Sequence, residues 1–104
     1  MTAARGRHGG AERALLAGFA RSRGGEEFDS FEELARLIET AGGETVATVL
    51  KRRSDPDPAT FLGRGKAEEI AATVRERAVD LVVIDEDLTP AQQRHLEEII
   101  PAKV

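Results

Sequence analysis

The stretch Asp80-Leu81-Val82-Val83-Ile84-Asp85-Glu86-Asp87-Leu88-Thr89-Pro90-Ala91-Gln92 decides the fold, because it holds a strand and a helix start in succession. Leu81 to Ile84 are apolar on both alternating faces. A strand of that kind belongs in a parallel sheet with helices on each side. Thr89 and Gln92 make the T-x-x-Q capping box, in which each side chain satisfies the other residue's free amide. Pro90 suits the first helical position, where an amide would have no partner. Leu96, Ile99 and Ile100 form the apolar face of that helix, and Pro101 ends it.

Working back from this unit, KAEEIAATVRERAVD (residues 66–80) carries a second helical stripe: Ala67, Ile70, Ala71, Val74 and Ala78. Before it, the two prolines of SDPDPAT (54–60) can continue neither helix nor strand. ETVATVLKRR (44–53) reads as another strand apolar on both faces, through Val46, Ala47, Val49 and Leu50. SFEELARLIETAGG (30–43) puts Phe31, Leu34, Ala35, Ile38 and Ala41 on one helical face. Ser30 and Glu33 form its capping box, and Gly42 or Gly43 supplies the left-handed residue that stops it. The run RALLAGFA (13–20) is the first strand, and RSRGGEEFD (21–29) a loop. Downstream, AKV (102–104) looks like the opening of a fourth strand.

Alternating strands and helices imply parallel pairing through right-handed crossovers. The predicted fold is therefore α/β: a small parallel, doubly wound, Rossmann-like sheet of about four strands, helices on both faces, strand order 2-1-3-4. Residues 1–11 read as a flexible leader and 12–104 as the domain, a fragment of a longer protein because the chain stops inside a strand. The predicted core is Leu15, Leu34, Ile38, Val46, Val49, Ile70, Val74, Val82, Ile84, Leu96 and Ile100.

Composition narrows the function. A chain of 104 residues without Cys has no disulfide framework and no thiolate zinc site. His8 and His95 are too far apart in sequence to suggest a histidine metal site. No apolar run approaches the roughly 20 residues of a membrane span, and MTAARGRHGG lacks the apolar core of a secretory signal. A cytoplasmic protein with no membrane partner is expected. The net charge of -4 argues against one broad nucleic-acid-coating face, but leaves room for a local basic edge.

Three clusters carry candidate chemistry. Gly63-Arg64-Gly65-Lys66 stands at a helix start, where free amides, the helix dipole and two cations attract phosphate. It is neither a Walker A loop, since Ala67 follows Lys66, nor a dinucleotide fingerprint, since Glu68 replaces the third glycine. A plain turn needing glycine dihedrals is the competing reading. Lys51-Arg52-Arg53 ends the second strand and suits a polyanion, or is a solvated end neutralised by Glu44, Asp55 or Asp57. Asp85-Glu86-Asp87 follows the third strand, where carboxylates hold magnesium in some folds, and VVIDEDLTP resembles the phosphoacceptor strand of receiver domains. The acidic pair that a receiver needs after its first strand is missing, so the favoured role of these carboxylates is to face the positive start of the helix at Thr89. His95 reads as a surface or boundary residue, and no nucleophile has an evident base.

Together these residues resemble one family. Glu12-Arg13-Ala14-Leu15-Leu16, Glu32 to Leu37, Arg52-Arg53, Asp57 to Lys66 and Asp87 to Glu97 match, in order, motifs of the N-terminal domain of HflX-type GTPases. Phe61, Leu62, Arg64, Ala91 and His95 stand where that family more often has Tyr, Ile, Lys, Ser and Asn. The resemblance implies a cytoplasmic GTPase that binds the large ribosomal subunit and splits stalled or idle ribosomes. It implies that a helical hairpin and a GTPase domain follow, bringing GTP and Mg2+. The G-motifs are absent here, so this domain is expected to be non-catalytic, monomeric and without a cofactor of its own. Its expected contacts with ribosomal RNA are Lys51, Arg52, Arg53, Gly63, Arg64, Gly65 and Lys66. The alternatives are an ATP-binding or ATPase domain using the Gly63–Lys66 loop, or a degenerate receiver-like regulatory domain.

Overall fold

The computed structural model describes residues 11–23, 26–28, 31–52 and 55–104. The leader apart from Ala11, and the Ser30 cap, lie outside the described residues. Among the described residues eight elements follow one another: β1 (Glu12–Phe19), β2 (Arg21–Arg23), β3 (Glu26–Phe28), α1 (Phe31–Thr40), β4 (Gly43–Lys51), α2 (Arg64–Arg77), β5 (Leu81–Ile84) and α3 (Pro90–Ile99).

Three strands form the main sheet in the order β4-β1-β5, all parallel. This is the 2-1-3 portion of the expected order. The fourth strand reduces to a single parallel bridge between Leu81 and Lys103, so the sheet has three strands rather than four. The segment read as a loop after the first strand instead contains the antiparallel hairpin β2–β3, with Arg21 opposite Phe28. Three-residue strands are too short to reveal an alternation.

β1 is central and consequently the most buried strand: every residue from Ala14 to Phe19 is enclosed. Right-handed crossovers in this order put α1 on one face and α2 and α3 on the other. The packing agrees. A β-carbon on Gly18 would meet the Phe31 ring of α1 at 3.5 Å. On the opposite face Leu15, Ala17, Val49 and Val82 share a cluster with Ile70 and Val74 of α2 and with Leu96.

The two faces are unequally covered, which corrects part of the predicted core. Leu15, Val49, Ile70, Val74, Val82, Leu96 and Ile100 are buried. Leu34, Ile38, Val46 and Ile84 are only half-buried, because α1 alone shields its face and both β4 and β5 are flanking strands. Thr48 and Leu50 of β4 are exposed, so that strand is not covered on both faces as its apolar pattern suggested. Leu16, Phe19, Phe31, Leu62 and Val79 are also enclosed.

Termini of the helices follow the local chemistry. Gly42, at φ 94°, ends α1. Thr89 and Gln92 close the predicted capping box on α3, Gln92 N donating to Thr89 Oγ1 at 3.1 Å and Thr89 N to Gln92 Oε1 at 2.9 Å. The C-terminus of α2 ends on Ala78 at φ 53°, a left-handed conformation without glycine. There Arg13 supplies charge: its Nε and Nη2 donate to Arg77 O at 3.1 and 2.9 Å. A cation on the last carbonyls complements the negative end of the dipole.

Candidate functional site

The loop between β4 and α2 is built around Asp57. Its carboxylate accepts from Ala59 N (2.8 Å), Thr60 N (3.0 Å) and Thr60 Oγ1 (3.4 Å). These bonds favour the ionised form and hold the Asp57 carboxyl below its ordinary value of 3.8, the Thr60 and Ala59 amides contributing most. Two backbone bonds between Asp57 and Phe61, at 2.8 and 2.9 Å, close the turn and place Phe61 at φ 68°. A bulky residue in that region is strained and persists only where its surroundings over-determine it. Here they do. The Phe61 ring packs on Phe19 with centroids 5.6 Å apart, Leu62 is fully enclosed, and Thr60 is 5% exposed.

Beyond the turn, Gly63 adopts φ 92° and ψ 153°, a conformation essentially restricted to glycine. It is the N-cap of α2 and brings no side-chain cap. The first helical bond there is donated by Ala67 N to Gly63 O, so the amides of Arg64, Gly65 and Lys66 precede the ladder. A β-carbon at Gly65 would meet nothing within 4 Å.

The expected site residues are brought together only in part. Lys51 is adjacent to the loop, but its Nζ donates to Leu62 O at 2.6 Å and so ties the loop to β4. Arg64 pairs with Glu68 at 3.0 Å and Lys66 with Glu69 at 3.0 Å, both within α2. The Arg64–Glu68 pair is exposed and contributes little, whereas the Lys66 side chain is only 24% exposed. Arg52 is exposed at the end of β4. Arg53 lies outside the described residues.

The acidic cluster occupies a different place. In the order β4-β1-β5 the crossovers diverge between β1 and β5, so the crevice where doubly wound folds receive ligands opens there. Asp85 and Glu86 wall it. Asp85 N donates to Ala17 O at 2.8 Å, and Glu86 Oε2 accepts from Phe19 N at 3.2 Å. Glu86 thus serves the end of β1. Asp85, Glu86 and Asp87 line an open cleft of about 480 Å³ with Leu34, Val83 and Ile84. A nucleotide phosphate entering the switch point would meet carboxylates. Among the described residues no three His, Cys, Asp or Glu side chains converge to hold a metal ion. No helix among them is long and apolar enough to cross a membrane.

Two contacts at the loop are not foreseen by the sequence reading. Gln92, besides capping α3, donates from Nε2 to Asp57 O at 3.1 Å, and His95 Nδ1 lies 3.1 Å from Ala59 O. The available signal was spacing: Gln92 and His95 are three apart on one helix and so share a face.

The turn, the glycine helix start and the capped α3 are among the segments that carried the family resemblance. The model of the GTP-binding GTPase N-terminal family matches residues 28–104. The chain belongs to that family, as an HflX-type domain. Its relatives include the GTPase HflX of Flavobacterium psychrophilum, 38% identical over 95 residues (89% of this chain, 23% of the relative). That of Spirochaeta thermophila is 42% identical over 96 residues (90% and 22%). The Escherichia coli protein is 34% identical over 79 residues (76% and 18%). The HflX-type domain described here therefore spans less than a quarter of the length of these relatives.

Proposed function

We propose that the chain is the N-terminal module of an HflX-type GTPase that binds the large ribosomal subunit and takes part in splitting ribosomes in the cytoplasm. In this reading the module is non-catalytic. GTP and Mg2+ belong to a GTPase domain elsewhere in the protein, and this domain contacts ribosomal RNA or positions the rest. The observation that supports an RNA contact is the start of α2, where Gly63 leaves three successive amides uncapped beside Arg64 and Lys66. Amides at a helix N-terminus and flanking cations suit a phosphate backbone read by shape rather than by base identity. Arg52, exposed one strand-end away, extends the basic edge.

Counterion release gives the test. Each phosphate contact makes binding weaken as salt rises. Lys66→Ala and Arg52→Ala, in the full protein, should weaken large-subunit binding and flatten the salt slope by up to about 1 per contact on double-stranded nucleic acid. Binding at two salt concentrations measures both. Wild-type affinity and slope in both variants would exclude the RNA contact and leave the domain a positioning role.

A further inference from the structure

We propose that Gln92 and His95, on α3, are positioning residues for the start of α2: they hold the Asp57–Leu62 loop in the conformation that presents the Arg64, Gly65 and Lys66 amides to a phosphate. This rests on the RNA reading above and adds residues that touch no ligand.

The argument begins with strain. Phe61 at φ 68° and Gly63 at φ 92° lie in consecutive tight turns, and a free loop would relax from the first. What opposes relaxation is contact from three directions. Lys51 Nζ holds Leu62 O from β4. The Asp57 carboxylate holds the loop's own amides at Ala59 and Thr60. α3 holds two carbonyls: Gln92 Nε2 donates to Asp57 O, and His95 Nδ1 donates to Ala59 O. A carbonyl only accepts, so the His95 proton sits on Nδ1. Gln92 is 7% exposed and is one of the two buried polar side chains among the described residues, Thr60 of the same loop being the other. A buried amide is retained where both its ends are satisfied. Gln92 satisfies one end on its own helix and the other on a loop 35 residues away. The capping box thus joins the start of α3 to the turn that leads into α2.

The two residues allow variants that separate positioning from folding. Gln92→Glu keeps the acceptor for Thr89 N, and with it the cap on α3, but sets a carboxylate against Asp57 O. His95 is half-buried, so His95→Leu removes one donor without opening the core. His95→Asn restores a donor, since the Asn amide nitrogen stands as far along the side chain as Nδ1.

Two readouts are taken in the full protein: hydrogen exchange of the amides from Ala59 to Lys66, and large-subunit binding at two salt concentrations. Gln92→Glu and His95→Leu should speed exchange in that segment and weaken binding about fivefold, a typical effect of one lost hydrogen bond. Their salt slope should stay at the wild-type value, because no phosphate contact is removed. His95→Asn should return both readouts toward wild type. Unchanged exchange in His95→Leu would overturn the proposal. So would faster exchange with undiminished binding, provided that Lys66→Ala still flattens the slope. If Lys66→Ala and Arg52→Ala also leave affinity and slope untouched, the RNA reading itself fails, and this proposal fails with it.

Discussion

At the scale of single residues, Gly63 and Gly65 look alike in sequence and differ in physics. Gly63 needs its glycine for the backbone: at φ 92° any β-carbon is strained, and it would lie 3.1 Å from Lys51 Nζ. Gly63→Ala should therefore destabilise the domain by about 1–3 kcal/mol in denaturant unfolding. Gly65 sits in the first turn of α2 with open space around it. Gly65→Ala should raise stability by about 0.5–1 kcal/mol, through helix propensity. If a phosphate approaches that amide, the same substitution weakens large-subunit binding while stabilising the fold. Gain of stability with unchanged binding would mean that nothing approaches there. Asp57 makes a separate prediction. Its folded carboxyl is depressed by the Thr60 and Ala59 amides, so its contribution is present above the ordinary value of 3.8 and is lost as pH falls through the lower folded one. Asp57→Ala should lose less of its remaining stability than wild type on acidification from pH 5 to 3, followed by thermal melting.

Elements were readable to different degrees. The strand Leu81–Ile84 and the box from Thr89 to Gln92 stand where the sequence puts them, since a four-residue apolar run and a capping box are both local signals. The start of α2 was readable as a helix entry, but not the loop geometry before it. That geometry depends on Gln92 and His95, more than thirty residues away, and no local pattern encodes such a contact. The end of α2 was misread for the opposite reason. Ala78 continues the apolar stripe in sequence, yet it adopts φ 53° and stops the helix. Left-handed geometry costs a residue with a β-carbon about 1–2 kcal/mol. Ala78→Gly should recover about 1 kcal/mol of that, visible as a higher melting temperature. A lower one would mean that the Ala78 methyl contributes more by packing than its conformation costs.

Over the whole molecule, what could not be read was which face each helix covers and how completely. Apolar patterning marks Val46, Ile84 and Leu15 alike, but only Leu15 lies on the central strand. Leu15→Ala should cost about 2–5 kcal/mol, the usual range for a fully enclosed leucine. Ile84→Ala on the half-covered β5 should cost clearly less. Equal losses in chemical denaturation would show that the β5 side is better shielded than its exposure indicates.

The central position of β1 also sets a timetable. β1 is the first of the described strands to be synthesised, yet its neighbours on either side come from β4 and β5, and Ala14 pairs with Leu81, 67 positions later. At about 5–20 residues per second, that partner is made roughly 3–13 s after β1. Through that interval the apolar segment from Ala14 to Ala20 has left the peptidyl-transferase centre with its sheet unfinished. A domain that folds around such an early strand cannot close its sheet until the last partner strand has been made.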